Sequence, residues 1–246
     1  MAEKNTQNLV NELKGKQWVD LTHTFGPESP RFPSFKPAEF KTIFTHQDGF
    51  FVKQYTFPGQ YGTHIDPPVH FYKDDDRYVE DLPLKDLVLP LVVIDHHKRA
   101  NENPDASLTV EDIKQWEKKN GPIPEGSFVA LRTDWSKRWP SQEQFSNPDS
   151  NGQNHYPGWS VEALKYIYET RHAKANGHET FDTDTATKQQ NGLVGEYYVL
   201  SHGHYQVELL DNLDQVPETG AVIFISVAKP EKAPGFPVRA FAIFDK

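Results

Sequence analysis

Gln60-Tyr61-Gly62-Thr63-His64-Ile65-Asp66-Pro67-Pro68-Val69-His70 brings two imidazoles and a carboxylate within a few positions of one another. In extended chain, side chains alternate between faces, so His64 and Asp66 point the same way. Gln60 shares that face if the strand is regular, whereas Gly62 permits a bulge or a close backbone approach that breaks the regularity. Pro67 and Pro68 end any strand and stiffen the turn that carries His70. A neutral imidazole nitrogen and a carboxylate oxygen held at fixed separation suit a hard or borderline divalent ion. The same residues also suit a turn capped by Asp66 with two partly buried histidines that bind nothing. Spacing alone leaves both readings open.

Outward from this segment, strands are expected over 50–57, 87–95, 127–133, 221–227 and 238–244, where β-branched and aromatic residues run between turn formers. The unbroken apolar stretches in the second and fourth of these read as strands buried on both faces. Thr109 can cap a helix over 110–119, with Asp112 completing a capping box. Ser160 can cap another over 161–172, with Ala163, Leu164, Ile167 and Tyr168 on one face. Residues 136–158, rich in Pro, Asn, Ser and Gln, read as a long loop, and residues 1–17 as a polar arm or short leading helix. No repeat or linker divides the rest, so residues 18–246 are expected to form one domain of mixed α/β class.

Nineteen prolines and 15 glycines argue against a helical bundle. A net charge of -9 with no basic stripe argues against nucleic acid as a partner. No apolar run approaches the roughly 18 residues of a membrane span. The first residues lack the apolar stretch of a signal peptide, so a cytoplasmic location is expected. The chain has no cysteine. Any metal must therefore be held by histidine, carboxylate, amide or water, which favours zinc or manganese.

Residues 60–70 resemble the signature of the cyclase family, which includes bacterial kynurenine formamidases and isatin hydrolases: His-x-Gly-Thr-His-x-Asp-x-Pro-x-His. Further segments resemble the family in the same order: Trp18-Val-Asp-Leu-Thr-His, Leu131-Arg-Thr-Asp-Trp-Ser-Lys-Arg-Trp, Pro157-Gly-Trp-Ser-Val-Glu-Ala, His178-Glu-Thr-Phe-Asp-Thr-Asp and Glu208-Leu-Leu-Asp-Asn-Leu-Asp. The resemblance implies a swivelling β/β/α-type single domain with a barrel-like central sheet and flanking helices. It places His64 and Asp66 on metal ligands, His70 on the general acid/base and Glu208 on a late carboxylate ligand. Gln206 competes with Glu208 if the alignment slips. Gln60 stands where the motif has its first histidine; an amide oxygen is a weaker, neutral ligand, which favours a single ion, Mn²⁺ or Zn²⁺. His202 and His204 are the nearest candidates for a further late histidine.

The implied activity is hydrolysis of an amide, lactam or lactone bond in a small aromatic substrate that is arylformamide, isatin-like or dienelactone-like. Phe32 and Trp135 fall in segments that resemble pocket walls, and a homodimer is implied. A cyclase or dehydratase using the same groups, or a metal-containing binding protein without catalysis, are the alternatives. Among the remaining candidates, Arg132 is expected in a structural salt bridge, His96 and His97 in an exposed loop, and His155 in the long loop. Asp74, Asp75 and Asp76 are expected to form a solvated charge run.

Overall fold

The computed structural model describes residues 2–246. Its strands are β1 (Gln17–Asp20), β2 (Glu39–Phe44), β3 (Val52–Thr56), β4 (His64–Asp66), β5 (Val88–Asp95), β6 (Ser107–Leu108), β7 (Phe128–Arg132), β8 (Gly158–Trp159), β9 (Ala175–His178), β10 (Tyr205–Glu208), β11 (Ala221–Val227) and β12 (Phe236–Phe244). Seven of them form a closed ring in the order β12-β11-β5-β7-β9-β10-β4, because β4 pairs again with β12. The pairings β5–β7, β7–β9 and β9–β10 are parallel, and the other four in the ring are antiparallel. The long β12 also carries β1 at its far end. The result is the barrel-like mixed sheet in a single α/β unit that the family resemblance implies.

Two-residue alternation decides what fills the barrel. Ile65, Leu91, Val93, Phe128, Ala130, Ala175, Val207, Ile223, Ala240 and Ala242 belong to one buried cluster drawn from all seven strands. Their neighbours Val92, Ile94, Val129 and Leu131 face the other way, into a second cluster with residues of the helical layer. The strand over 87–95 lacks a polar face for this reason, whereas the strand over 221–227, expected to be buried on both faces, leaves Val222 and Ser226 exposed on its outer face. Burial of each Leu, Ile, Val or Phe side chain contributes about 1.5–3 kcal/mol, so the alternation outweighs weak local propensities.

The helices are α1 (Ala2–Gly15), α2 (His97–Glu102), α3 (Val110–Asn120), α4 (Gln142–Ser146), α5 (Val161–Lys165) and α6 (Val194–Ser201). The expected capping box opens α3: Thr109 Oγ1 accepts from the Asp112 amide at 3.2 Å, and Asp112 Oδ2 accepts from the Thr109 amide at 2.9 Å. Ser160 caps α5 as expected, but the α-helix stops at Lys165 and widens into a π-turn over Tyr166–Thr170. The turn leaves Tyr168 buried, with its hydroxyl donating to Asn176 Oδ1 at 2.6 Å. The N-terminal arm is a full helix, tied to β1 by the Trp18 indole N–H on the Leu13 carbonyl at 2.8 Å. Met1 of that arm lies outside the described residues. The loop at 136–158 is not structureless, since it contains α4, capped by Ser141.

Candidate metal centre and active site

β4 and β10 run antiparallel with His64 opposite Glu208 and Asp66 opposite Gln206. Ile65 and Val207, the intervening residues, enter the barrel core. All four polar side chains therefore emerge on the outer face of the same two strands. Gly62 precedes them at φ +64, a left-handed conformation that favours glycine. There its carbonyl accepts from His64 Nδ1 at 2.8 Å. That bond fixes the ring proton on Nδ1 and turns the Nε2 lone pair toward the carboxylates.

His64 Nε2 lies 3.3 Å from Asp66 Oδ2 and 3.4 Å from Glu208 Oε2. His64 Nε2 and Asp66 Oδ2 are buried without any hydrogen-bond partner. Orphaned buried polar atoms cost about 1–3 kcal/mol each, more when charged. Ligand atoms bound at about 2.0–2.2 Å to one divalent ion stand roughly 3.0–3.5 Å apart, which is the spacing found. The donor set of imidazole, carboxylate and carboxylate thus fits a divalent cation. Further contacts hold these side chains in place. Gln60 Nε2 donates to Asp66 Oδ1 at 3.3 Å and to the Pro234 carbonyl at 3.1 Å. Gln206 Nε2 donates to Glu208 Oε1 at 2.9 Å, while Gln206 Oε1 accepts from Thr183 at 2.6 Å. Both glutamines turn their amide nitrogens to these carboxylates, and an amide N–H₂ donates rather than ligates. Gln60 and Gln206, expected as ligands, thus each donate to a carboxylate of the cluster as placed.

The charge balance agrees. Burial opposes a protonated His64, yet Asp66 and Glu208 outweigh it and hold its pKa well above the ordinary value. Burial likewise opposes an ionised Asp66, yet His64, His70 and the Gln60 amide bring its pKa down to about 2. The site favours positive charge.

Pro67 and Pro68 lead into a short 3₁₀ turn that ends at His70. His70 is partly exposed, with Nε2 3.9 Å from Asp66 Oδ1 and 3.9 Å from Glu196 Oε1. Glu196 comes from α6, whose start is held by Asp184 accepting from the Gly195 and Glu196 amides at 2.9 and 3.1 Å. Burial, then repulsion from Glu208, Asp182, Asp66 and Asp184, raises the Glu196 pKa well above the carboxylate range. His64, His70, Glu196 and Glu208 form the polar side of a cavity of about 180 Å³, whose apolar walls include Phe32, Phe35, Phe71 and Phe181. A void of about 150 Å³ already accepts benzene, so this one admits a single aromatic ring.

The structure brings His64, Asp66, Glu208, His70, Gln60 and Phe32 together. Trp135 is elsewhere: it is buried in a neighbouring aromatic cluster, its indole N–H on the Phe145 carbonyl at 2.8 Å. It does not line the cavity because Phe181, from the same cluster, occupies that wall. Arg132 pairs with Asp134 and Asp95 as expected. His96, expected in an exposed loop, is buried, since its chain turns under the C-terminal end of β5 to begin α2. His155 pairs with Asp105 at 2.8 Å. His204 stacks on Tyr168 and His202 packs on Tyr198, neither in the cavity. Glu196, Asp182, His178 and Arg31 were not foreseen. A signal existed for Glu196, the one acidic residue in the otherwise uncharged stretch that forms α6.

A closed α/β barrel with a buried His–Asp–Glu cluster opening on a histidine-lined cavity defines a class, the metal-dependent hydrolases. This chain belongs to the cyclase family, whose family model, described as "Putative cyclase", matches residues 19–185. It is 32% identical over 245 residues to an isatin hydrolase of Roseibium aggregatum, covering 93% of this chain and 92% of that protein. Among solved structures, isatin hydrolase A from Labrenzia aggregata bound to benzyl benzoate is similar, with a TM-score of 0.91 and 32% identity, over 98% of this chain and 100% of that one. An isatin hydrolase bound to the product analogue thioisatinate matches with a TM-score of 0.92 and 28% identity over 100% of both chains.

Proposed function

We propose that the chain hydrolyses the cyclic amide of an isatin-like lactam, or the related bond of an arylformamide or aryl lactone, with one Mn²⁺ or Zn²⁺ held by His64, Asp66 and Glu208. The observation that carries this reading is the pair of buried, unpartnered ligand atoms, His64 Nε2 and Asp66 Oδ2, facing Glu208 at ligand spacing. When bound, the cation supplies Lewis acidity toward water and the substrate carbonyl. His70, at the cavity wall, accepts the proton of the attacking water and returns it to the leaving nitrogen. Gln60 and Gln206 keep the ligand carboxylates aimed. The phenylalanine walls hold the ring and exclude bulk water. A homodimer belongs to the same reading. It is supported by the β2–β3 hairpin, which leaves Ile43, Phe44, Phe50, Phe51 and Tyr55 exposed.

The test is metal analysis of the purified protein with turnover of isatin, N-formylkynurenine and a dienelactone. His70→Ala should lower kcat by about 10²–10⁴ and leave metal content unchanged. Loss of metal together with activity would instead make His70 a ligand, beside Asp66 and Glu196, with which it forms a second close grouping. Product formed in ¹⁸O water without label would exclude hydrolysis.

A further inference from the structure

Arg31 is the only lysine or arginine among the described residues that line the cavity. The turn that carries it is fixed at several points. Its backbone N–H donates to Gln142 Oε1 at 2.8 Å, its carbonyl accepts from Gln142 Nε2 at 3.2 Å, and the Phe35 amide closes on the Phe32 carbonyl at 2.9 Å. Arg31 Nε donates to the Phe35 carbonyl at 3.2 Å. This leaves the outer edge of the guanidinium: Nη1 and Nη2 have no partner among the described residues, and no carboxylate pairs with them. The other arginines spend theirs internally, as Arg132 does on Asp134 and Arg171 on Glu117. A half-buried guanidinium held by its Nε and free at both Nη atoms presents the two parallel donors that match a carboxylate. The same turn carries Phe32 and Phe35, whose ring centroids are 5.7 Å apart and which wall the cavity with Phe71. Asp182, Glu196 and Glu208 line the same cavity and supply no cation to an anionic group. An anionic ligand is therefore oriented, its charge at Arg31 and its ring between the phenylalanines.

We propose that Arg31 binds a carboxylate borne by the substrate itself, so that the preferred substrate is an aryl lactam or amide with a ring carboxylate rather than a neutral one. This rests on the hydrolytic reading above and names the substrate class for that site. The neutral isosteric carboxamide lacks the charge-assisted pair, and loss of such a pair from a partly desolvated site lowers binding by about ten- to a hundredfold.

The test uses isatins carrying a carboxylate at each ring position, each matched to its carboxamide, on metal-loaded wild type, Arg31→Gln and Arg31→Lys. For at least one position, wild type should favour the carboxylate in kcat/KM by about ten- to a hundredfold, chiefly through KM. Arg31→Gln should bring that ratio to near one, and Arg31→Lys should retain part of it. A ratio near one in wild type, or one that Arg31→Gln leaves intact, overturns the proposal. Should wild type turn over none of these compounds, the hydrolytic reading fails separately. The dissociation constants of the same pairs then decide the role of Arg31, with the same ratio and the same loss expected. Metal content and far-ultraviolet circular dichroism of both variants exclude misfolding as the cause.

Discussion

Gly235, which contributes no side chain, leaves the room that Gln60 and Asp66 occupy. A Cβ there would stand 2.1 Å from Gln60 Nε2 and 2.7 Å from Asp66 Oδ1. The Gln60 amide is the end of a flexible side chain and can swing away. Asp66 is buried in a three-residue strand and cannot, so alanine pushes the carboxylate off the position that faces His64. Gly235→Ala should weaken metal affinity by at least about tenfold, the range seen when groups that orient metal ligands are disturbed. Gly15→Ala, where nothing lies within 4 Å of the added carbon, is the control. Competition with a chelator measures both, and unchanged affinity in Gly235→Ala would show that the ligand carboxylate has more freedom than its packing indicates. His64, Asp66 and His70 were legible in the sequence because their spacing is local and a strand converts two-residue spacing into one face. Glu208 required the family resemblance, since nothing in its own neighbourhood announces the pairing of β10 with β4. Arg31 and Glu196 reach the cavity through tertiary packing alone, and no periodicity carries that information.

At the scale of elements, β9 and the turn after β7 are joined by a buried carboxyl. Glu179, the residue after β9, accepts from the Thr133 amide at 2.5 Å, from Thr133 Oγ1 at 2.9 Å and from Ser136 Oγ at 2.9 Å. Burial raises its pKa to about 7, although these donors favour the carboxylate. The folded pKa thus lies above the unfolded value of about 4.5. Between those values the native state binds more protons than the unfolded chain, so stability falls as pH rises through that window. Urea unfolding from pH 4.5 to 8 should show this decline, and Glu179→Gln should flatten it. An undiminished slope in the variant would assign the decline to another group. The elements differed in legibility for physical reasons. β5 and β7 were readable because strands buried on both faces are apolar nearly throughout, and β11 and β12 because β-branched and aromatic residues run between turn formers. β9, Ala-Asn-Gly-His, carries no such signal: Gly177 is required where a Cβ would meet the Phe128 ring at 2.6 Å. α6 was missed because it is buried on most sides and shows no clear apolar stripe. The π-turn that ends α5 leaves the pattern of apolar residues unchanged, so sequence periodicity continued the helix through it.

For the whole molecule, the closure of the barrel and the cohesion of the metal centre are one problem. The ring closes through β4, three residues long, which touches β12 by only two register pairs, Ile65 with Phe236 and His64 with Pro237. Its other neighbour, β10, is four residues long. By contrast, β11 and β12 pair over six positions. At the closing seam β4, held by two register pairs to β12 and three to β10, therefore shares with β10 the buried carboxylates of Asp66 and Glu208. A divalent cation held by His64, Asp66 and Glu208, as proposed, would offset the repulsion between those carboxylates and tie β4 to β10. A ligand at a hundredfold excess over its Kd stabilises the native state by about 2.7 kcal/mol. For a chain of this size each kcal/mol shifts Tm by about 2–4 °C. Chelation should then lower Tm by about 5–10 °C. Hydrogen exchange should locate the loss, with amides of β4 and β10 exchanging faster in the stripped protein while β11 and β12 keep their protection. Equal loosening of all seven strands would mean that the cation stabilises the barrel only globally. An unchanged Tm, with the metal demonstrably removed, would mean that the seam holds by packing of Ile65 and Val207 alone.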